Sequence, residues 1–193
     1  MKLLTYPHPV LKYKCKPLKK IDQELRDIAA EMFDLMYSSE GVGLAANQVG
    51  LPYQLFVMND TGDKEKKESE HCFINPVILK RKGRVADNEG CLSFPDVRAD
   101  VIRAESIEFE AITLSGETVR FNWKGHPARV VQHETDHLHG IGFVDRLSST
   151  ALLEIRKTLQ DLQAVFEGDQ RLGFVPLNVE IMEQLAELEQ KRC

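Results

Sequence analysis

Between Gln132 and Gly140 the chain reads Gln-His-Glu-Thr-Asp-His-Leu-His-Gly, and no other stretch restricts the possible fold so strongly. His133 and His137 are four residues apart, so on a helix both imidazoles leave from one face, one turn apart. Glu134 follows the first histidine and can reach a water held between the two rings. This is the H-E-x-x-H arrangement, two metal ligands and a general base on one rigid rod. A fold that uses it must bury the helix and bring a third ligand, oxyanion donors and a substrate groove to its histidine face. The pattern also arises on ordinary helix surfaces, so the rest of the chain has to supply that company.

Burying such a helix needs a core, and 193 residues suffice for one core with an appended tail. The 42% hydrophobic and 28% charged fractions are those of an ordinary soluble protein. A net charge of −5 counts against general affinity for nucleic acid. The first residues carry no apolar run of signal-peptide kind, and nothing reaches the ~20 apolar residues of a membrane span, so a cytoplasmic protein is expected. Cys15, Cys72, Cys91 and Cys193 form no C-x-x-C pair and are expected to be reduced. Cys15 and Cys72 read as small, partly buried hydrophobes, and Cys193 as an incidental terminal thiol.

Residues 1–20 are Pro-interrupted and read as an arm over the domain. Asp22 is placed to cap a helix whose apolar positions Leu25, Ile28, Ala29, Met32, Phe33 and Met36 run to about Ser39, with a stop at Gly41. Gly41–Gly50 has small residues around a short apolar centre, which suits a tight turn or close backbone approach. Residues 54–58 and 72–79 are strand candidates, the second interrupted by Pro76, and 61–70 is a charged, exposed loop. Alternation over 107–111 and 119–123 about Ser115-Gly116 predicts an antiparallel hairpin. Pro127 begins the histidine helix and Gly140 ends it. A later helix capped by Ser148 or Ser149 carries Leu152, Ile155, Leu159, Leu162 and Phe166 on one seam and closes at Gly168. A last helix spans 178–189 with Asn178 as cap. Strands first and helices later, without β-α-β units, give α+β.

A catalytic site of this kind takes three protein ligands and keeps one position open. His139 is two positions beyond His137 and leaves the shared face. Asp145 and Glu154 lie downstream, as in zinc peptidases that take a carboxylate from a later helix. Cys91, in the turn-like segment Asn88-Glu89-Gly90-Cys91-Leu92-Ser93-Phe94-Pro95, offers a thiolate. Spacing alone does not choose among them.

Three segments taken together resemble the signature motifs of the peptide deformylases: Gly41–Gly50 (G-x-G-L-A-A-x-Q-V-G), Glu89–Pro95 (E-G-C-L-S-x-P) and Gln132–Gly140 (Q-H-E-x-D-H-L-x-G). They occur in order across the first 147 residues, followed by Phe143-Val144-Asp145-Arg146-Leu147, and no motif position departs from the pattern. The resemblance implies a catalytic domain over 1–147 with a helical extension over 148–193 packed on or beside it. It implies antiparallel β-sheets around a central helix bearing the H-E-x-x-H pair. Its metal ligands fall on Cys91, His133 and His137, its catalytic glutamate on Glu134, and its oxyanion donors on the Gln48 amide and the Leu92 N–H. The implied ion is Fe²⁺, with Zn²⁺, Ni²⁺ or Co²⁺ able to take the same site.

The implied reaction removes the formyl group from N-formyl-methionyl nascent peptides. The peptide is expected to add as a strand beside Val42, Gly43 and Leu44, with Gly43 leaving room for its backbone. Val130 and Leu92 are expected to wall the methionine pocket, Arg98 to meet residues further along, and Glu89 to pair with Arg103. Some bacterial members dock on the ribosome through a basic C-terminal helix, and the four glutamates of 178–189 put that mode in doubt here. The seam from Leu152 to Phe166 leaves monomer and dimer both open. Two other readings stand beside the deformylase: a zinc peptidase ligated by Glu154, and a silent relative that binds formyl peptides without cleaving them.

Overall fold

Strand β2 (Leu55–Met58) is buried along its whole length because its two faces meet two different helices. Leu55 and Val57 pack with Leu25, Ala29, Met32 and Met36 of α1 (Gln23–Ser38). Phe56 and Met58 face the other way, onto Ala128, Val130, Val131 and Leu138 of α2 (His126–Leu138). Period-two alternation thus puts a sheet between two helices, with α2 central. The computed structural model describes all 193 residues, Met1–Cys193.

The sheet has five strands in the order β1-β2-β3-β6-β7, with β1 Gly43–Ala45, β3 His71–Lys82, β6 Ser106–Ile112 and β7 Thr118–Lys124. All its pairings are antiparallel. A separate two-stranded sheet joins β4 (Val85–Cys91) to β5 (Phe94–Arg103). The fold is α+β, as the order of elements implied. On the α2 side of the main sheet, Phe73, Phe109, Phe121 and Trp123 pack ring to ring at centroid distances of 4.9–5.8 Å. These pairs lie within the range in which aromatic quadrupoles attract.

The expected boundaries hold where the end signals are local. Asp22 Oδ1 accepts from the Leu25 N–H at 3.0 Å, which caps α1. Gly140 follows α2 at φ 73°, and a Cβ there would lie 2.4 Å from the Lys12 carbonyl oxygen. Glycine therefore both turns the chain and lets the N-terminal arm cross the helix end. Four boundaries differ. Strand β3 continues through Pro76 for 12 residues, because its ladder to β6 shifts register between Ile74 and Val77 and leaves the proline outside the hydrogen bonding. The turn-like Glu89–Pro95 segment does turn, at Leu92-Ser93, but its flanks are paired strands, so it is the tip of the β4–β5 hairpin. The helix α3 (Ser149–Arg171) passes Gly168 and stops before Gly173, which takes φ 77°. The last helix, α4 (Asn178–Arg192), has Leu177 at its cap position, with the Leu177 N–H bonded to Glu180, and runs beyond 189 to take in Lys191 and Arg192.

The tail folds back on the chain. Ile155, Leu159 and Leu162 of α3 pack on the cluster of Phe94, Val97, Val101, Phe143 and Val144 beneath the β4–β5 hairpin. Ile181 and Leu185 of α4 bury against Val10 of the N-terminal arm. Arg192, 7% exposed, donates to Asp22 Oδ1 at 2.9 Å and to Glu24, and its carbonyl accepts from the Lys19 N–H at 3.0 Å. The C-terminus is thereby fastened to the start of α1. The charged loop 61–70 is exposed as expected, yet it is anchored. Fully buried Asn59 donates to the carbonyls of Asp63 and Lys66 at 3.0 and 3.2 Å.

Candidate metal centre

Helix α2 holds His133 and His137 one turn apart, and the β4–β5 hairpin turns at Cys91 to bring its sulfur to them. The two Nε2 atoms are 3.2 Å apart, and Cys91 Sγ is 3.2 Å from His137 Nε2. All three donor atoms lie within 4.8 Å of one another. A tetrahedral ion bound at about 2.1 Å to nitrogen and about 2.3 Å to sulfur sets its donors roughly 3.4–3.6 Å apart. The two 3.2 Å edges at His137 match that spacing to a few tenths of an ångström, and the three donors together fit one metal ion.

The donors are also prepared electronically. His133 Nδ1 lies 2.9 Å from Glu89 Oε2, which fixes the proton on Nδ1 and leaves the Nε2 lone pair for a cation. Burial depresses His133, but hydrogen bonds to Cys91 and Glu89 outweigh it and push its pKa up to about 10. Burial and the charge of His133 hold His137 well below its ordinary value, in the neutral form that ligates. Asn47 Nδ2 donates to the His137 carbonyl at 2.5 Å and fixes the end of the helix.

Beneath the site lies a set of buried charges. Arg103 of β5 donates to both oxygens of Glu89, at 2.6 and 2.9 Å, and to Asp136 at 2.8 Å. Arg129 of α2 donates to Glu89 at 2.5 Å, and Arg146 to Asp136 at 2.6 and 3.0 Å. Burial pushes Glu89 up, but its bonds to His133 and Arg103 prevail and bring its pKa down to about 2. It stays ionised throughout the neutral range. The Glu89–Arg103 pair was expected from sequence. Asp136 and Arg146 stood in the quoted segments without a role, and Arg129 was not named; its one signal was local, since it precedes His133 by one helical turn.

Glu134 is 4% exposed, and its Oε2 has no protein partner. Burial pushes its carboxyl up to about 7. Gly43 faces it: a Cβ there would meet Glu134 Oε1 at 2.5 Å and Cδ at 2.9 Å. The space left by this glycine thus admits the carboxylate. Gln48 Oε1 accepts from the Ala45 N–H at 2.8 Å, which turns its amide so that Nε2 lies 3.1 Å from Ser93 Oγ and 3.6 Å from Cys91 Sγ.

A groove of about 770 Å³ runs over these groups, between β1 and the β4–β5 hairpin. Val42, Gly43, Gln48, Leu92, Arg98 and Val130 all line it. Leu44 does not; its side chain is fully buried against the α1 core, so only its backbone lies on the β1 edge. Arg98 Nε donates to Asn88 Oδ1 at 2.8 Å on the outer rim. His126, the first residue of α2, lines the groove too. The other ligand candidates lie elsewhere. His139 is exposed, with Nδ1 2.7 Å from the Thr135 carbonyl. Asp145 binds Lys12 at 2.6 Å and the Gly142 N–H at 2.7 Å, and Glu154 is exposed on α3.

Comparison with known proteins agrees with this geometry. The model of the polypeptide deformylase family matches residues 1–152. A peptide deformylase from Rhodopirellula baltica is 38% identical over 189 residues, 98% of this chain and 94% of that protein. A chloroplastic peptide deformylase 1B from Oryza sativa subsp. japonica is 41% identical over 168 residues, 86% of this chain and 62% of that longer protein. The crystal structure of Arabidopsis thaliana peptide deformylase 1B with an inhibitor is 38% identical and superposes with a TM-score of 0.84, covering 91% of this chain and 96% of that one.

Proposed function

The chain belongs to the polypeptide deformylase family, and from that premise we propose how its own residues carry out the reaction. The activity is metal-dependent hydrolysis of the N-formyl group of nascent peptides, with formate and a free amino terminus as products. The observation that carries the mechanism is the buried, unpartnered Glu134 oxygen beside the Cys91/His133/His137 cluster.

Cys91, His133 and His137 would hold the ion, and Glu89 orients His133. When bound, the ion lowers the pKa of its water towards neutrality and polarises the formyl oxygen. Glu134 takes a proton from the attacking water and passes it to the departing amine as the C–N bond breaks. A carboxyl raised towards neutrality serves both halves of that transfer. Negative charge gathers on the formyl oxygen, and the Gln48 Nε2 and Leu92 N–H groups donate to it. The Ala45 N–H keeps the Gln48 amide the right way round for this.

The formyl peptide lies along the free edge of β1 as an added strand, pairing with the backbone of residues 42–44. Val42, Leu92 and Val130 form the apolar wall for the methionine side chain, and Arg98 meets residues beyond it. Residues 1–147 form the catalytic domain, and 148–193 a helical extension fastened across it.

Fe²⁺ is the resident ion in this reading, and Zn²⁺, Ni²⁺ or Co²⁺ suit the same thiolate and imidazole donors. The thiolate makes the centre sensitive to oxidation. No helix is long and apolar enough to cross a membrane. The ribosome is a transient partner at most, because α4 is already engaged on its own chain through Ile181, Leu185 and Arg192.

Formate release from formyl-Met-Ala-Ser tests the reading, with protein prepared without oxygen, its metal content measured, and Glu134→Ala beside it. Turnover by the wild type and its loss in the variant are expected. A metal-loaded wild type that releases no formate would overturn the assignment.

A further inference from the structure

The metal cluster is assembled from two bodies that share no strand ladder: α2 carries His133 and His137, and the two-stranded β4–β5 sheet carries Cys91. Side-chain hydrogen bonds cross from one to the other, and Arg129 reaches across in more directions than the rest. Arg129 is 7% exposed and sits one helical turn before His133, on the same face of α2. Its Nη1 donates to Glu89 Oε1 at 2.5 Å and to the Val101 carbonyl at 2.9 Å. Its Nη2 donates to the Val85 carbonyl at 2.9 Å, and its Nε lies 3.8 Å from Asp87. Val85 is on β4 and Val101 on β5, so one guanidinium from the helix grips both strands of the hairpin as well as the carboxylate that orients His133.

We propose that Arg129 is a positioning residue for the metal centre, which holds the Cys91 arm in register with the histidine helix and thereby sets how tightly the ion is retained. The inference rests on the metal reading of Cys91, His133 and His137 given above. Its physical basis is that three acceptors in different directions need a rigid planar fork with five donors, which arginine has and lysine lacks. Stability alone is a poor reason for such a group, since a buried ion pair contributes little net stability compared with apolar packing. Arg103 already supplies Glu89 with two hydrogen bonds, so Glu89 keeps its charge without Arg129. What Arg129 alone adds is the grip on the two strand carbonyls.

The test uses the full chain with Arg129→Leu and Arg129→Lys, each first shown to be folded by circular dichroism. Zn²⁺ retention is measured by competition with a chromophoric chelator, and the thiolate-to-metal charge-transfer band is recorded on the Co²⁺ form. Both variants should release Zn²⁺ at roughly 10–100-fold lower chelator concentration, as loss of an outer hydrogen-bonding partner typically does. The Co²⁺ charge-transfer band should shift as the sulfur moves. Arg129→Lys is decisive, because it keeps the buried charge and loses only the fork, and it serves alone if Arg129→Leu fails to fold. Folded Arg129→Lys that retains Zn²⁺ within about twofold of the wild type, with an unchanged Co²⁺ band, overturns the inference. A wild type that takes up neither ion defeats the metal reading itself, a result distinct from the first.

Discussion

Replacing Gly43 by alanine is the smallest change that separates the role of the carboxylate from that of the metal. The glycine does not need its special backbone freedom, since its φ lies outside the left-handed region. What it lacks is a Cβ, and the atom that alanine adds would stand 2.5 Å from Glu134 Oε1, 2.9 Å from Cδ and 3.0 Å from Cγ. Carbon and oxygen atoms settle no closer than about 3.3 Å, so the carboxylate must retreat by roughly 0.8 Å. Glu134 is 4% exposed, and the retreat has to be made inside packed surroundings. Overpacking of this kind costs about 1–3 kcal/mol of stability, which a chain of this size can absorb. The rate is less forgiving, because a displacement near 1 Å in a catalytic group lowers turnover by about 10²-fold. The metal ligands are untouched, so the ion stays, and the new methyl lies on the Glu134 side of β1, so peptide pairing along the edge is spared. Steady-state formate release should show kcat reduced about 10²-fold with KM and bound metal near wild type. A variant whose KM rises while kcat holds would refute the argument. That outcome would mean the glycine makes room for the peptide after all.

Three further substitutions read other parts of the molecule. Burial raises Glu134 from an ordinary 4.5 to about 7, so the fold gains from its protonation below pH 4.5 and loses that gain as the pH rises through 7. Metal-free Glu134→Gln should therefore be more stable than metal-free wild type by about 3 kcal/mol at pH 8 and no more stable at pH 4; parallel urea melts at the two pH values would contradict the assignment. Gln48→Leu keeps the shape and removes the donor, and should lower kcat by about 10²–10³ in the formate assay while the protein keeps its ion; an unchanged kcat would take Gln48 out of the oxyanion site. Arg192→Met breaks the fastening of α4 to Asp22 and Glu24, and should cost about 1–2 kcal/mol in urea unfolding without affecting formate release; equal midpoints would show that the ion pair contributes nothing.

The elements that could be read from the sequence are those whose signals are local. Asp22 caps its helix three residues away, Ser115-Gly116 closes a hairpin of alternating residues, and Gly140 ends the histidine helix. The β4–β5 hairpin escaped because β4 reads Val-Ala-Asp-Asn-Glu-Gly-Cys, rich in residues that disfavour strands, and only Glu89 in it is buried. Its conformation comes from the ladder to β5 and from Arg129 beneath it, neither of which leaves a mark at short range. Pro76 misled in the opposite sense: it breaks a ladder hydrogen bond, but a shift of register absorbs the break and the strand goes on. Gly168 stands in open space within α3, where nothing in the packing forces the helix to stop.

The same division explains why spacing left the third ligand open while resemblance named it. His133 and His137 are related by helix geometry, which four residues of sequence fully state. Cys91 reaches His137 across 46 positions, through a hairpin whose placement depends on buried charges on two elements. Asp145 and Glu154 were nearer in sequence, yet Asp145 is held by Lys12 and the Gly142 N–H, and Glu154 faces solvent. A ligand is thus selected by whatever controls the position of its backbone, and for Cys91 that control lies in Glu89, Arg103 and Arg129. It follows that the motif around Cys91 and the helix carrying the histidines are not independent halves of the site. A change at Arg129 or Glu89 should act on the metal as surely as a change at a ligand, and by a smaller amount, because it moves the thiolate without removing it.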